Sequence, residues 1–352
     1  MKKIIFALLA VCLLSSGCQE RKEDNVIKIG AILPLTGSAS YAAEFMKKGL
    51  DLAIRELNDT SEYEYKLIYE DSKSLPKDGL ISYNKLRSQN VDFIICALSN
   101  VGMAIAPKTN NEDVILFGTA IVPSDFVTIS NKTIRVYPNS EGMASVVAEH
   151  NNNTLKSKRP AVIYINNDMG IDCLKAYSNI VLKYNNQVVY SESYEPNQKD
   201  FKDIINKILQ NHVDCVYVSG FGESYISFVK QFNNDPRTHN IILTGDMTFG
   251  LPDTKSKIGI TSSVIHYADA IITSDFSKTY TNAYSESPNS YAAYTYTVPF
   301  LIQAALDNGC KLNNIDGIYK YITTTSFDSA MGSLCFTCDG ESNLQFSMKT
   351  LE

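Results

Sequence analysis

The sequence predicts an α/β protein with two doubly wound lobes, each built on a parallel β-sheet. The chain has 352 residues, whereas a single hydrophobic core stops growing at roughly 250–300 residues. Short apolar strand patterns alternate with helical patterns along most of the chain, which is typical of parallel sheets covered by helices on both faces. The alternation stops at residues 135–139 and then starts again, so we expect two such sheets.

The composition is that of an ordinary globular protein with a small excess of acidic residues. Hydrophobic residues make up 44% of the chain and charged residues 20%, so extensive disorder is not expected. The 32 lysines and arginines against 38 acidic residues leave a net charge of −6. Nucleic-acid binding requires clustered basic residues, and we therefore expect no nucleic-acid partner.

The N-terminus has the features of a lipoprotein signal peptide, predicted over residues 1–17. Two lysines precede an uncharged apolar run at 4–14, which is too short to span a bilayer but suits a signal peptide. Small residues lead into Cys18 as in a lipobox, although Ser15 stands where Leu is usual. We expect a lipid on Cys18 and a polar tether at 18–25. Ordinary secretion with a free Cys18 is the alternative.

In the first half of the chain, a helix pattern follows nearly every strand pattern. Residues 26–33 form an apolar strand that stops before Pro34, and residues 42–57 carry apolar side chains at i, i+3 and i+4 spacing. Residues 91–98 are almost entirely apolar, as expected of a strand buried on both faces of a parallel sheet. The other predicted elements are strands at 65–69 and 114–117 and helices at 77–89 and 101–111.

The second half repeats the alternation and then departs from it. Predicted strands lie at 161–165, 187–194, 214–219 and 241–243, and predicted helices at 141–155, 171–184, 201–209 and 223–233. A strand at 263–268 and helices at 275–286 and 291–308 follow, with Pro299 inside the last helix and Gly309 ending it. Segments 334–337 and 343–348 flank an Asp-Gly turn and predict a hairpin that adds edge strands.

The loops after the strands contain the candidate binding residues, because ligands of open parallel sheets bind beyond the carboxyl ends of the strands. Ser99 precedes a predicted helix, where its hydroxyl and the following amides can hold a carboxylate; a plain helix N-cap is the alternative. Asp246 is an acid placed to meet a cation, and a solvated turn residue is the alternative. The other candidates at these strand ends are Asn100, Thr119, Ala120, Met169 and Phe221.

The order and spacing of several segments resemble the type I solute-binding proteins of ABC importers, and more narrowly the leucine/isoleucine/valine-binding group. The chain opens with IKIGAILPLTG at 27–37 and continues into a long helix that ends with AIRELN at 53–58. Further matching segments are 70–71, 91–100, 199–201, 214–222 and 339–340, so the resemblance covers residues 26–352.

This resemblance implies the periplasmic binding protein type I fold, in which three crossovers join the two lobes. The crossovers would lie near 136–139, 264–268 and 334–339. Lobe one would then comprise 26–137 plus 268–335, and lobe two 138–267 plus 336–352.

The resemblance also implies roles for individual residues. It places the ligand carboxylate on Ser99, a backbone contact on Ala120 with Thr119 beside it, and the ligand ammonium on Asp246, where relatives usually carry Glu. Aromatic walls would come from Tyr41 in one lobe and Phe221 in the other.

Two positions depart from the family pattern, because Val122 stands where a Thr is usual and Met169 where a Tyr is usual. Each lost hydroxyl removes roughly 1 kcal/mol of net stabilisation and makes the cleft more apolar. An α-amino acid is therefore the favoured ligand, and a ligand with only one charged group, or an amide, stays open.

The resemblance implies a lipid-anchored extracytoplasmic solute-binding protein that captures a small amino-acid-like ligand for an ABC importer. Its partners would be that ligand, the permease subunits and, through the lipid, a membrane; we expect a monomer without a cofactor. The alternative is a ligand-sensing or regulatory envelope lipoprotein on the same fold that acts through a protein partner. No Lys-Thr-Gly, Gly-x-Ser-x-Gly or His-Glu-x-x-His motif occurs, so we expect no enzyme.

The cysteines and histidines predict no metal site. Cys335 and Cys338 form an isolated Cys-x-x-Cys pair, whereas zinc needs four ligands; a local disulfide and two unrelated cysteines are the open alternatives. Cys96 and Cys215 lie in apolar strands and should be buried. His150 lies near a predicted helix C-terminus, where a protonated side chain suits the dipole.

Overall fold

The computed structural model describes residues 25–37, 39–259 and 264–351. The predicted signal peptide, Cys18 and nearly all of the predicted tether lie outside the described residues. Within the described ranges the chain forms two main sheets and one small two-stranded sheet. The two main sheets are the cores of the two predicted lobes.

The first sheet is parallel and has the strand order β2-β1-β3-β4-β5. Its strands are β1 (Val26–Leu33), β2 (Glu64–Asp71), β3 (Phe93–Ala97), β4 (Ile115–Thr119) and β5 (Thr133–Arg135). The helices between them are α1 (Ser40–Thr60), α2 (Pro76–Ser88) and α3 (Ser99–Ile105). Every residue of β3 and β4 is buried, which explains their continuous apolar pattern.

Two details of this half differ from the sequence prediction. The helix predicted at 101–111 is divided, because α3 ends at Ile105 and a 3-10 helix, Ala106–Asn111, follows with Pro107 in its first turn. Proline cannot donate the backbone hydrogen bond that would continue an α-helix. The three-residue strand β5 was not predicted, because so short a segment shows no periodicity.

The second half of the chain builds the second lobe in the same way. Its strands are β6 (Pro160–Ile165), β7 (Tyr190–Tyr194), β8 (Cys215–Ser219), β9 (Ile242–Gly245) and β10 (Ile265–Ala270). Its helices are α4 (Ser140–Asn153), α5 (Asp168–Lys183), α6 (Lys202–Gln210), α7 (Gly222–Asn234) and α8 (Pro252–Ile258). These strands run parallel, with β6 and β8 at the centre between β7 and β9.

The C-terminal part returns to both lobes. It contains α9 (Ser274–Tyr284), α10 (Ser290–Asp307), α11 (Ile315–Thr324), β11 (Phe327–Ser329), β12 (Gly332–Leu334) and β13 (Phe346–Leu351). Helix α10 packs against α1 of the first lobe, and β13 pairs antiparallel with β10 at the edge of the second sheet. Pro299 lies inside α10 and Gly309 follows its end at φ +86°, as predicted.

The predicted C-terminal hairpin is only partly correct. One edge strand is added, β13, but it lies at 346–351, a few residues later than predicted. Segment 334–337 adds no edge strand to a main sheet, because β12 pairs with β11 and Phe336 forms only an isolated bridge to Ser342. The sequence prediction also missed α11.

The chain passes between the two lobes three times. The first crossover lies between Arg135 and Ser140, the second between Ala270 and Ser274, and the third between Leu334 and Phe346. The second lies later than the predicted 264–268, because β10 continues to Ala270 in pairing with β13.

The cysteines follow the predicted burial, whereas the environment of His150 differs from expectation. Cys96 and Cys215 are fully buried, and Cys335 and Cys338 are free thiols in the structure. His150 lies in the last turn of α4, but its Nε2 is 3.2 Å from Nδ1 of His266. Burial lowers the pKa of both histidines, and the neighbouring His266 ring lowers the pKa of His150 further. The expected protonated form is therefore disfavoured.

Candidate functional site

In the first lobe, the loop after β3 and the loop after β4 each contain a non-glycine residue with positive φ. Leu98 has φ +76° and Ala120 has φ +56°, a region that residues with a Cβ rarely adopt. Such strain costs of order 1–3 kcal/mol per residue and is concentrated at functional sites. The Ser99 hydroxyl accepts a hydrogen bond from the Val122 amide at 3.1 Å, which joins the two loops. Leu98 is the N-cap residue of α3 and Ser99 is the first residue of the helix, so the plain N-cap alternative does not describe Ser99.

Two neighbouring candidates are engaged within the first lobe. Thr119 is fully buried, and its hydroxyl donates to the Cys96 carbonyl at 3.4 Å. Asn100 is exposed, and its side-chain nitrogen donates to the Ser74 carbonyl at 3.0 Å. Both side chains support the loops at the carboxyl edge of the first sheet. Their direct contact with a ligand stays a prediction.

Asp246 is a fully buried carboxylate at the carboxyl end of β9. One oxygen accepts from the Thr248 amide at 2.9 Å, and the other accepts from the Gly220 amide at 3.4 Å. Burial raises the pKa of Asp246, and the hydrogen bonds from Thr248 and Gly220 oppose that rise. The solvated-turn alternative is therefore wrong, since water does not reach this side chain.

The turn after β8 brings a second candidate, Phe221, beside Asp246. Gly220 has φ +146°, and a Cβ at this position would lie 1.9 Å from the Tyr194 hydroxyl. Only glycine fits such a turn without displacing a neighbour. Phe221 then begins the approach to α7 with 49% of its surface exposed. An exposed aromatic ring at a strand end is available for contact with a ligand.

A wall of tyrosines lines the lobe-one side near the first crossover, and sequence reasoning identified only one of its members. The Tyr137 ring stacks on Tyr291 at 6.3 Å and meets Tyr294 edge-on at 5.0 Å. Burial raises the pKa of Tyr137, and the carboxylate of Asp246 contributes to that rise. Met247, the residue after Asp246, packs in the same apolar cluster as Tyr137 and Tyr294, so the end of β9 lies near this wall. Tyr41, the predicted member, lies beside Tyr291 and is 44% exposed.

A second group of residues that the prediction missed lies behind Asp246. The hydroxyls of Ser140, Tyr217 and Ser219 are buried. They surround Cys173, whose pKa burial raises to about 12. Two sequence features pointed to this group: Ser219 ends a strand, and Ser140 begins the helix after the first crossover. Tyr217 had no such signal because it lies within β8.

The two lobes touch in this structure. The Ser124 hydroxyl, in the loop after β4, donates to Asp172 of α5 at 2.9 Å. Met169, at the start of α5, packs against apolar residues of both lobes, and Met247 joins the apolar cluster of the first lobe. The structure therefore brings the strand ends of the two sheets face to face and places Met169 at their boundary.

Two cavities on the surface lie away from this boundary. One of about 460 Å³ lies at the amino ends of β1 and β3, with Lys28 and Asp92 in its lining. Another of about 330 Å³ lies between α9, α10 and β11. The described residues contain no cluster of three or more His, Cys, Asp or Glu side chains able to hold a metal ion. None of the described helices combines the length and apolar character needed to cross a membrane.

The chain matches the sequence model of one family over almost its whole described length. That family is described as periplasmic binding protein, and the match covers residues 26–348. Among curated proteins, a Leu/Ile/Val-binding protein homolog of Brucella melitensis is 24% identical over 201 residues. The alignment covers 55% of this chain and 54% of the relative, so the chain spans about half the length of that relative.

Solved structures show the same fold at low sequence identity. The branched-chain amino acid transporter substrate-binding protein LivJ of Streptococcus pneumoniae, in complex with isoleucine, has a TM-score of 0.81 and 17% identity. The match covers 93% of this chain and 96% of LivJ. A solute-binding protein of an ABC transporter from R. palustris, in complex with benzoate, has a TM-score of 0.80 and 16% identity over 93% of both chains.

Proposed function

Since the chain belongs to the periplasmic binding protein family, we propose that it captures a small ligand between its lobes and delivers it to an ABC importer. Membership confirms the family and fold class predicted from the sequence, and the family consists of extracytoplasmic binding proteins rather than enzymes. The observation that carries the proposal is Asp246, a buried acid at the carboxyl edge of the second sheet. Met247, the next residue, packs in the apolar cluster that contains Tyr137 and Tyr294 of the tyrosine wall.

The proposed ligand is an amino acid or a related small compound. Ser99 and the backbone at Ala120 would hold its carboxylate, and Asp246 would hold its ammonium group. Burying an ionised carboxylate without a counter-charge is costly, and a ligand cation would remove that cost. Met169, Phe221 and Tyr41 would surround the apolar part of the ligand. Relatives of this fold hold isoleucine in one case and benzoate in another, so both chemistries belong in a screen.

Two further parts of the proposal concern movement and attachment. The first sheet with α1–α3 and α9–α11 and the second sheet with α4–α8 would act as two bodies that close on the ligand. A lipid on Cys18 would hold the protein at a membrane near its permease. The lipobox-like sequence before Cys18 supports this attachment.

A thermal-shift screen of residues 19–352 tests the proposal. The probes are the proteinogenic amino acids, benzoate, short amides and nucleosides. A ligand at 100 times its dissociation constant stabilises the folded protein by about 2.7 kcal/mol, which raises the melting temperature measurably. A hit among α-amino acids supports the proposed ligand. A hit confined to compounds without an ammonium group keeps the binding function but removes the role of Asp246. Folded protein that responds to no probe at millimolar concentration contradicts capture and favours the regulatory alternative.

A further inference from the structure

Arg135 is a completely buried arginine at the end of β5, directly before the first crossover. Its guanidinium group donates to the Ile121 carbonyl and to the Pro123 carbonyl, each at 2.6 Å. Its Nε donates to the carboxylate of Glu341 at 3.0 Å. The planar fork of arginine is suited to several fixed acceptors at once. Each of these three contacts therefore depends on the shape of the side chain as well as on its charge.

The carbonyls that Arg135 holds belong to the loop at 120–124, which carries two features of the candidate site. Val122 donates its amide to the Ser99 hydroxyl, so the position of this loop sets the position of the proposed carboxylate contact. Ser124 donates to Asp172 of the second lobe, so the same loop also makes a contact between the lobes. A shift of the loop would change both features together.

The third partner of Arg135 lies in the third crossover. Glu341 is separated from Arg135 by 206 residues and belongs to the segment between β12 and β13. The backbone reinforces this connection, because the Arg135 amide donates to the Gly340 carbonyl at 2.9 Å. Two residues after Gly340, the Ser342 hydroxyl donates to the Tyr137 carbonyl at 3.2 Å. Two of the three crossovers are thus joined at Arg135.

Arg87, in the last turn of α2, provides an internal comparison near the amino ends of β3 and β4 in the same lobe. It donates to the Val91 carbonyl at 2.6 Å and to the Glu112 carboxylate at 2.6 Å, and it also contacts Asp92. Arg87 therefore resembles Arg135 in having carbonyl and carboxylate partners, but its partners lie at the amino ends of the strands. Arg87 can therefore serve as a control, because it is an arginine of the same lobe whose partners lie away from the cleft.

We propose that Arg135 is a positioning residue that couples the crossovers to the ligand-contacting loop at 120–124. It does not touch the ligand; it fixes the loop so that Val122 holds Ser99 and Ser124 reaches the second lobe. Glu341 orients the guanidinium group from the third crossover. The proposal rests on the proposed function only in assigning ligand contacts to this loop, since the order of the loop can be measured without a ligand.

The test compares Arg135→Lys and Glu341→Gln with the matched control Arg87→Lys in residues 19–352. The first measurement is hydrogen exchange of the Val122 amide in ligand-free protein, at a temperature where all variants are folded. We expect exchange at least tenfold faster in Arg135→Lys, a smaller increase in Glu341→Gln, and less than a twofold change in Arg87→Lys. Lysine lacks the fork that holds two carbonyls at once.

The second measurement is the affinity for L-isoleucine and for benzoate by titration calorimetry. For any probe that binds wild type, we expect the affinity of Arg135→Lys to be at least tenfold lower than that of wild type. The affinity of Arg87→Lys should stay within twofold of the wild-type value. Unchanged Val122 exchange, or faster exchange with unchanged affinity, overturns the proposal. If neither probe binds wild type, neither compound is the ligand, and the exchange measurement alone decides the role of Arg135. If Arg135→Lys does not fold, both the exchange of the Val122 amide and the ligand affinity are measured on Glu341→Gln instead.

Discussion

At the scale of single residues, the environment of a side chain matters more than its position in the sequence. Asp246 and Ser99 both follow strands, as the sequence indicated, but their surroundings differ. Asp246 is enclosed and accepts from the Gly220 and Thr248 amides, whereas the Ser99 hydroxyl is committed to a neighbouring loop. The buried acid is therefore the group whose chemistry a ligand would change most.

Replacing Asp246 by Ala should abolish binding of an α-amino acid, with at least a hundredfold loss of affinity. The substitution would leave the proposed ligand ammonium without a counter-charge in a buried site. Removing one partner of a buried charge pair costs about 2–5 kcal/mol. Titration calorimetry with the amino acid found in the screen measures the change. Asp200→Ala, at an exposed position before α6, is the control. Unchanged affinity of Asp246→Ala would remove the assignment of the ammonium site.

The His150–His266 pair should make the protein less stable as the pH falls. Both pKa values are lowered in the folded state, so the unfolded chain, with a histidine pKa of about 6.5, binds protons first. Stability contributed by the neutral pair is complete above about pH 6.5 and is lost as the pH falls below it. Urea unfolding should give a lower free energy of unfolding at pH 5.5 than at pH 7.5, and this difference should be smaller in His266→Gln.

His239→Gln is the control for that experiment, because His239 is exposed at the end of a short 3-10 helix. It should leave the pH dependence as it is in wild type. An equal pH dependence in wild type and His266→Gln would show that the pair does not govern acid stability.

At the scale of elements, apolar periodicity located the strands and long helices, and turns decided the details. The short strand β5 and the helix α11 escaped prediction, because three residues show no period and the apolar positions of α11 were not separated from the surrounding loop. Gly220 shows what a turn can require, since its backbone conformation and the nearby Tyr194 hydroxyl both exclude a side chain. This turn directs the Gly220 amide to the Asp246 carboxylate, and Phe221 follows it in the chain.

Gly220→Ala should destabilise the fold by roughly 2–4 kcal/mol and weaken ligand binding. The added Cβ would collide with the Tyr194 hydroxyl, and overpacking typically costs 1–3 kcal/mol in addition to backbone strain of about 1 kcal/mol. Gly309→Ala is the matched control, because Gly309 also has a positive φ but no atom within 4 Å of its Cβ position. Denaturant unfolding should show the larger loss for Gly220→Ala. Equal losses would show that backbone strain alone accounts for the cost.

At the scale of the whole molecule, three crossovers join the two lobes, and contacts between described residues link them as well. The Ser124–Asp172 hydrogen bond is one such contact, and the packing of Met169 and Met247 is another. We expect the two lobes to exchange between open and closed forms. A ligand that touches both lobes would favour the closed form.

Asp172→Ala should shift the ligand-free protein toward the open form. A hydrogen bond of this kind contributes roughly 0.5–1.5 kcal/mol, so the ratio of closed to open form should fall about two- to tenfold. Distances between spin labels on α2 and α6 measure the shift. Asp203→Ala, which removes an exposed acid within the second lobe, should leave the distances unchanged. Identical distributions in Asp172→Ala and wild type would contradict a role for this contact in closure.

The sequence by itself determined the fold class, most helices and strands, and the strand ends at which Ser99 and Asp246 lie. These features follow from local patterns, because the spacing of apolar residues reports which face of each element is buried. Only the tertiary structure decided that Asp246 is enclosed, that Tyr137 belongs to the wall opposite it, and that Arg135 meets Glu341. Such contacts join residues far apart in the chain, and local periodicity contains no information about which distant segments meet.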